Sequence, residues 1–410
     1  MGLKIAATGF VSGQAGSVAS ANALLLRALL DRGCEMHFFS KASFVDPRPA
    51  AGSHEGFRFT DVDNRISDRI RARTERVPVV GPLARMLDVA RYNQMVVRAI
   101  QREHSRAAFD VCVWFGDYAR GRAPGLPTVS FAQGAPGTDA RSVLRRFPEI
   151  VRVAGAAAAW KWRLLAMLRL SKAGLPRMKF SDLIIVGSSQ SRKTLHGDFG
   201  IPESRTASVP YPIDLETFRP GPAAQAATRK RCLWLGRIIP RKRLDLFLDG
   251  LARALAGGAD LEATIVGQVG FVPGYEKLIA AFPFPDRLAW IPSVPRGEVP
   301  GLLRAHDVLI QPSEEEDFGS SVAEAQACGI PVIVGRTNGN ADYLCAADIP
   351  LRTDDPGELA GAIVEMTGRP RPSPEVSRAF AAQTFDKAAI AARFAELLVN
   401  VVRTRNGGAA

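Results

Sequence analysis

The residues of this 410-residue chain best suited to chemistry are two carboxylates, Glu316 and Glu324, and a run of cations from Arg237 to Arg243. The acids sit in Pro312-Ser313-Glu314-Glu315-Glu316-Asp317-Phe318-Gly319, which follows the apolar run Val308–Gln311 and leads on to Ser320, Glu324, Gly329 and Pro331. That order reads as a strand, a loop and a helix. Glu316 then lies in the loop and Glu324 in the first turn of the helix. The backbone N–H groups from Phe318 to Ser321 lack helical partners and can point at ligand oxygens. A carboxylate accepts well from two adjacent hydroxyls of a ribose or a sugar. A plainer reading stays open: Ser321 to Glu324 is a capping box, and a triple-Glu run is commonly a solvated loop.

The cations lie in Gly236-Arg237-Ile238-Ile239-Pro240-Arg241-Lys242-Arg243, directly after the apolar run Cys232–Leu235. Gly236 lets the backbone turn close to a ligand. Arginine offers a planar fork and lysine a point charge, both suited to phosphate oxygens. A solvated basic turn is the alternative, weakened by four cations gathered in one loop. A third loop, Gly9 to Ser17, contains Gly13 and Gly16 but matches neither G-x-G-x-x-G nor a P-loop, so an ordinary turn explains it equally well.

Strands and helices must hold these loops. In the first half, Leu3–Thr8, Glu35–Phe39, Val111–Phe115, Thr128–Phe131 and Asp182–Val186 read as strands, with helices over Ala19–Asp31 and Leu87–His104. The second half alternates more cleanly. Strands Cys232–Leu235, Ala263–Val266, Leu288–Ile291, Val308–Gln311 and Pro331–Val334 are interleaved with helices over Leu244–Leu255, Gly297–Arg304 and Val322–Cys328. Such alternation predicts an α/β chain with parallel sheets covered on both faces. Ligands of such sheets bind outside the carboxyl ends of the strands. The length suits two domains of about 200 residues. The Pro-rich stretch Val209–Pro222 is the natural linker, giving domains 1–210 and 211–385. A final helix in 386–410 is expected to cross back to the first domain.

The apolar fraction is 47% and the charged fraction 23%, ordinary for a globular protein. No run of about 18 uncharged apolar residues predicts a membrane span, and Met1–Phe10 reads as a strand rather than a secretory signal. Cys34, Cys112, Cys232, Cys328 and Cys345 are scattered and never form C-x-x-C, which favours a reducing cytoplasm over disulfides or zinc. The net charge of +12 suits an anionic partner: nucleotide phosphates, a membrane surface or nucleic acid. Between Arg141 and Phe180 there are ten Lys or Arg residues and a single acid, Glu149. That clustering, with no RNP-like, helix-turn-helix or zinc signature, counts against nucleic acid. Trp160 and Trp162 stand there beside Lys161 and Arg163, followed by Leu164, Leu165, Met167 and Leu168. One reading of 141–180 is a surface for anionic lipid, involving Arg145, Arg146, Lys161 and Arg163. The other is an ordinary amphipathic helix with solvated cations.

Taken together, these residues resemble the retaining glycosyltransferases of family 4, which have the GT-B fold: two Rossmann-like domains facing each other across a cleft. Ser208-Val209-Pro210-Tyr211-Pro212-Ile213-Asp214, followed by Phe218 and Pro220, is similar to the family's interdomain segment. Gly236-Arg237 with Lys242 looks like its diphosphate clamp. Glu316-Asp317-Phe318-Gly319, with Glu324-Ala325, Gly329 and Pro331, looks like its E-x7-E signature. The resemblance implies that Glu324 binds the ribose diol, and that Glu316 with the N–H groups of Phe318, Gly319 and Ser320 holds the transferred sugar. It also implies that Arg237 and Lys242 neutralise the departing diphosphate beside Gly236, and that Gly16 leaves it room from the first domain. Glu316, Arg237 and Lys242 would be the catalytic set, with no metal and no cofactor. The sequence departs from the family at Gln133-Gly134, where a His is common on the acceptor side of the cleft. It departs again at Tyr211-Pro212 for Asn-Gly, and at Asn338-Gly339-Asn340-Ala341-Asp342 for a Gly-Gly…Glu loop.

The implied activity is transfer of a hexose-like sugar, with retention, from a nucleotide-diphosphate-sugar to an acceptor hydroxyl, in glycan, polysaccharide or glycolipid biosynthesis. The implied partners are the donor and a glycan or lipid-linked acceptor, at a cytoplasmic location that includes the inner face of the membrane. The alternatives are a nucleotide-sugar epimerase of related fold and a nucleotide-sugar-binding protein without transfer activity.

Overall fold

Strands of two to six residues, apolar and buried at the centre and half-exposed at the edges, pair into two sheets. Strands β1 (Lys4–Gly9), β2 (Glu35–Ser40), β3 (Phe57–Asp61), β4 (Val111–Phe115), β5 (Thr128–Phe131), β6 (Leu183–Val186) and β7 (Thr206–Ser208) form the first. Their order is β3-β2-β1-β4-β5-β6-β7. Strands β8 (Lys230–Leu235), β9 (Leu261–Val266), β10 (Leu288–Ile291), β11 (Val308–Gln311), β12 (Val332–Val334) and β13 (Ile349–Pro350) form the second, in the order β10-β9-β8-β11-β12-β13. Every pairing is parallel. Parallel neighbours need crossovers, here helical, that cover both faces. Strands β4, β5, β6 and β11 are accordingly buried along their whole length. The structure, a computed structural model, describes residues 2–11, 16–42, 45–62, 80–172, 174–221, 229–370 and 373–407. It is an α/β chain of two Rossmann-like domains facing each other across a cleft.

All ten expected strands begin and end within two residues of their sequence-derived limits, and Val111–Phe115, Thr128–Phe131, Leu288–Ile291 and Val308–Gln311 match throughout. The edge strands β3, β7 and β13 lie outside the sequence reading, because short half-exposed edges carry little pattern. The basic stretch is three helices rather than one: Thr138–Arg145, Phe147–Ala154 and Ala156–Leu170. Pro148 near the start of the second and Gly155 at φ 85° after it supply the breaks.

Two apolar clusters run through both domains. The first joins β1, β4 and β5 to Val209, Tyr211, Ile213 and Phe218 of the linker, to Phe318 and Val322, and to Phe385, Phe394 and Leu398 near the end of the chain. The helix Lys387–Gly407 lies on the first domain: Phe394 packs on Phe115 and Phe131, and Arg405 pairs with Asp182. The second cluster joins Val143, Ile150, Val153, Ala159 and Ala166 to Trp234, Leu244, Phe247 and Tyr275 of the second domain. The three helices from 138 to 170 thus share a core with the domain that follows them. Lys277 Nζ donates to the Val153 carbonyl at 3.1 Å, and Trp162 lies 5.3 Å from Phe271.

Gly274 sits at that contact with φ +96°, and a Cβ there would stand 2.2 Å from the Val153 oxygen. Gly258 has a similar φ of +90° and open space around it. Gly258→Ala should therefore cost only the backbone term, about 1–2 kcal/mol. Gly274→Ala should cost that and roughly 1–3 kcal/mol more, because two backbones must part. Equal losses of melting temperature would show that the contact between the helices and the second domain is loose.

Candidate active site

The order of strands in the second sheet reverses between β8 and β11, with β9 and β10 on one side and β12 and β13 on the other. Such a switch point opens a crevice at the carboxyl ends of the two strands. The loop after β8 is Gly236 to Arg243 and the loop after β11 is Pro312 to Gly319. A single turn at Pro240–Lys242 brings Arg241 and Lys242 to the second loop. There both reach the same oxygen, Oε2 of Glu316, at 2.6 and 2.5 Å. Arg241 also donates to Asp139 of the facing domain at 2.8 Å. A Cβ added to Gly236 would meet nothing nearer than Lys242, at 3.6 Å, whereas the Gly236 carbonyl lies against the Gly267 backbone.

The acidic run is not a solvated loop. Glu314 accepts from Arg146 at 2.6 Å. Glu315 accepts from Arg141 at 2.9 Å and Arg145 at 2.5 Å. Asp317 accepts from the Gly187 N–H at 3.1 Å and from the Tyr211 hydroxyl. The expectation that Arg145 and Arg146 belong to a lipid-facing surface is thereby corrected, because both are spent on carboxylates across the cleft. Burial alone would raise the Glu316 carboxyl, but Arg241 and Lys242 outweigh it and hold it down at about 2. Burial lowers the Lys242 ammonium, against the pull of Glu316. Burial pushes Asp317 up to about 6, against hydrogen bonds from Ser191, Tyr211 and the Gly187 N–H.

Glu324 stands in the helix Ser320–Ala327 and does not cap it. Both its oxygens go to Arg296, at 2.6 and 3.0 Å, and Gly319 is the N-cap residue, in the left-handed region. Ser321, the other half of the expected capping box, bonds Gln311 instead. Burial raises the Glu324 carboxyl, and Arg296 works against that. The Arg296 guanidinium lies 4.8 Å over the Phe218 ring.

Two cavities contain these groups. One, about 250 Å³, is lined by Gln133, Arg237, Arg241, Glu316, Phe318 and Gly319 among others. The second, about 370 Å³, is lined by Pro212, Asp214, Phe218, Arg296 and Glu324 among others. Ser320 lines both. Arg237 is exposed and makes no ion pair among the described residues. The Gln133 side-chain nitrogen is buried without a partner, so its donor is free for a ligand. Gly134 faces the other way: its carbonyl accepts from Tyr118, and a Cβ on it would meet Asp317 at 3.0 Å. Phe318 is a core side chain packed on Tyr211, Tyr343 and Phe385, so only its backbone is available to a ligand. Gly319 cannot carry a side chain, since a Cβ would lie 2.8 Å from the Asn340 amide. Gly16 opens the helix Gly16–Asp31, and residues 12–15 of its loop lie outside the described residues.

Sequence reasoning left out Asp139, Arg241, Asp317 and Arg296. Arg241 was visible within the basic run, though nothing distinguished it from its neighbours. Asp139 and Arg296 carry no spacing signal, because their partners lie 102 and 28 residues away.

The two neighbouring acids respond to pH in opposite senses. Glu316 is depressed in the folded state, so its stabilisation is present above 4.5 and lost as pH falls through about 2. Asp317 is raised, so its contribution is complete below 3.8 and lost as pH rises through about 6. Asp317→Asn should remove that loss. Relative to wild type, the variant should gain on the order of 2 kcal/mol between about pH 4 and about pH 7. A stability difference that stays flat across that range would mean Asp317 is ionised throughout. Glu149 is also raised, to about 7, but is common to both proteins and cancels in the difference.

Comparison with known proteins bears on this crevice directly. The family model described as Glycosyl transferases group 1 matches residues 221–369, which hold Arg237, Arg241, Lys242, Glu316 and Glu324. The D-inositol 3-phosphate glycosyltransferase of Geodermatophilus obscurus is 31% identical over 46% of this chain and 46% of its own. A GDP-mannose-dependent alpha-(1-6)-phosphatidylinositol monomannoside mannosyltransferase of Mycolicibacterium smegmatis is 24% identical over 57% of this chain and 66% of its own. The chain thus spans about half the length of the first of these relatives and two thirds of the second. Among solved structures, sucrose-phosphate synthase from Thermosynechococcus elongatus superposes with a TM-score of 0.66 at 18% identity, covering 98% of this chain and 100% of that one. HepE of Anabaena, in complex with UDP and glucose, does so with a TM-score of 0.61 at 18% identity, covering 97% and 99%. The chain therefore has the GT-B fold of glycosyltransferases, with its second domain matching Glycosyl transferases group 1 over residues 221–369.

Proposed function

We propose that this chain is a retaining glycosyltransferase of family 4, which moves a sugar from a nucleotide-diphosphate-sugar to an acceptor hydroxyl without a metal ion. The observation that carries the reading is the composition of the two adjoining cavities. A carboxylate able to hold a diol, Glu324, stands at one end. Arg241 and Lys242 hold Glu316 at the other, where Arg237 lines the same cavity. The Anabaena protein named above binds UDP and glucose on the same fold, which supports a donor of that class.

The donor lies along the line of the two cavities. The ribose diol takes the Glu324 carboxylate, and Arg296 turns outward toward the nucleotide. The diphosphate takes Arg237 and draws Lys242 from Glu316. One anion replaces another at the ammonium, so its charge is never left unbalanced. Glu316, released from Lys242, accepts from hydroxyls of the sugar, and the free Gln133 amide donates from the facing domain. The acceptor oxygen then attacks the anomeric carbon on the face from which the diphosphate departs. The bond between the anomeric carbon and the diphosphate oxygen breaks, and the acceptor proton passes to that leaving oxygen. The cations stabilise charge that grows on the diphosphate, which is the part metal ions play elsewhere.

Glu324→Gln should weaken nucleotide binding about 10- to 100-fold, the value of a hydrogen bond to a charged group. A thermal-shift screen with UDP-, GDP-, ADP- and dTDP-sugars reads this, since ligand at 100 times Kd stabilises by about 2.7 kcal/mol. A variant with lower melting temperature and unchanged Kd would leave Glu324 a purely structural partner of Arg296. Arg237→Ala should lower kcat about a hundredfold with a smaller change in KM. Turnover should persist in excess EDTA, and strict dependence on Mg²⁺ or Mn²⁺ would overturn the metal-free reading. Product analysis separates transfer from epimerisation, because only transfer consumes an acceptor.

A further inference from the structure

The helix Ala156–Leu170 has two unlike faces. Ala159 and Ala166 are buried, and Trp162 and Leu170 pack with them into the core shared with the second domain. On the other side Trp160, Leu164 and Leu168 are 57%, 56% and 58% exposed, with Leu165 and Met167 beside them. Trp160, Leu164 and Leu168 are four apart in sequence and so lie in a row along the helix. Five large apolar side chains on one outward face are more than scattered surface hydrophobes. Arg163 lies over the rings of Trp160 and Phe147, at 5.3 and 5.0 Å. Lys161, Arg169 and Lys172 are exposed and make no ion pair among the described residues. The one acid of the stretch, Glu149, is buried beside Tyr275 on the far side.

At the carboxy-terminal end of this helix, Leu170 rests on Gly137, where a Cβ would approach it to 2.5 Å. A third cavity of about 240 Å³ opens there, lined by Asp117, Tyr118, Arg120 and Arg169 among others. It shares Thr138 and Asp139 with the cavity that holds Glu316. The apolar face, the polar cavity and the candidate sugar site therefore follow one another along the molecule.

We propose that the helix Ala156–Leu170 seats the protein on an anionic lipid surface, and that the cavity at Arg120 and Arg169 admits the polar end of a lipid-borne acceptor. The second half of this statement rests on the transferase reading, and the first half does not. The apolar row enters the headgroup region, while Lys161, Arg163, Arg169 and Lys172 meet lipid phosphates. A second copy of the chain is the poorer occupant. A two-fold contact would set the same patch against itself, bringing unpaired cations together with no acid on the face to receive them.

The test is flotation of the full chain with vesicles of phosphatidylcholine, with and without phosphatidylglycerol, at low and high salt. Wild type should bind the anionic vesicles at low salt and leave them at high salt. Lys161→Gln with Lys172→Gln should weaken partitioning about thirtyfold, from about 1 kcal/mol per cation. Trp160→Ser with Leu164→Gln and Leu168→Gln should abolish it. Each variant should keep the wild-type thermal shift with nucleotide-sugar, which shows that it folds and reads the donor site separately. If wild type binds vesicles but no nucleotide-sugar shifts its melting, the transferase reading fails and the lipid surface stands. Failure to bind anionic vesicles at low salt, or equal binding to both vesicle types, overturns the lipid assignment. A concentration-dependent dimer in sedimentation, lost in the apolar variant, does the same by naming a second copy as the occupant.

Discussion

Four successive carboxylates, Glu314 to Asp317, leave strand β11 into a space where water is scarce. Charges of one sign so close together cannot all be buried unless each is compensated. Much of the surrounding architecture follows from that constraint. The compensating groups come from three places: Arg141, Arg145 and Arg146 on the facing domain, Arg241 and Lys242 on the neighbouring loop, and the Gly187 N–H with the Tyr211 hydroxyl at the hinge. The acids therefore point in three directions, with Glu314 and Glu315 sharing Arg145. Their pairings set how the two domains face each other as well as how the site is charged. Such pairs add little net stability against an apolar alternative, but a single one left unpaired costs several kcal/mol, so the geometry is enforced by what its absence would cost.

Turning adjacent acids toward three sets of partners goes with an unusual backbone. Glu315 has φ 47°, a left-handed conformation that non-glycine residues seldom adopt. The segment from Thr337 to Asn340 supports it. Thr337 accepts from the Glu315 N–H, Gly339 donates to the Glu316 carbonyl at 2.8 Å, and the Asn340 amide donates to the Gly319 carbonyl at 2.7 Å. A Cβ on Gly339 would lie 1.8 Å from the Asp317 oxygen, so the two loops meet backbone to backbone. The Asn338-Gly339-Asn340 sequence, a departure from the pattern this chain resembles, is thus accounted for as the support of the acidic loop.

Legibility in the sequence followed the range of the interactions involved. Strands such as Val308–Gln311 were readable because burial on both faces leaves a continuous apolar run. The loops at their carboxyl ends, with Arg237, Lys242 and Glu316, were readable because position in an α/β sheet marks them. What could not be read was pairing over distance. Nothing local in Arg145 or Arg146 separates a cation spent on Glu314 from one free for lipid. Glu324 looked like a cap because Ser321 stands three residues before it, and only the fold brings Arg296 to its oxygens. Asp317 looked like one more acid in a run, and its raised carboxyl depends on the depth at which Tyr211 and Gly187 enclose it.

The shared core between the helices from 138 to 170 and the second domain bears on how the cleft can open. Parting them would expose Val143, Ile150 and Val153 on one side and Trp234, Phe247 and Tyr275 on the other, all of them buried. It would also break the Arg146–Glu314 and Arg241–Asp139 pairs, leaving buried charge behind. The connections of these helices to the first sheet are slighter. On the entering side they are Gly134 and Gly137, at φ 98° and 73°. On the leaving side they are the turn after Ser171 and the short segment before β6. Backbone of that kind absorbs rotation at lower cost than a packed aromatic core. The shared core therefore ties the three helices to the second domain, and through it the outward face of Trp160 and Leu164 to the loops that carry Arg241 and Glu316.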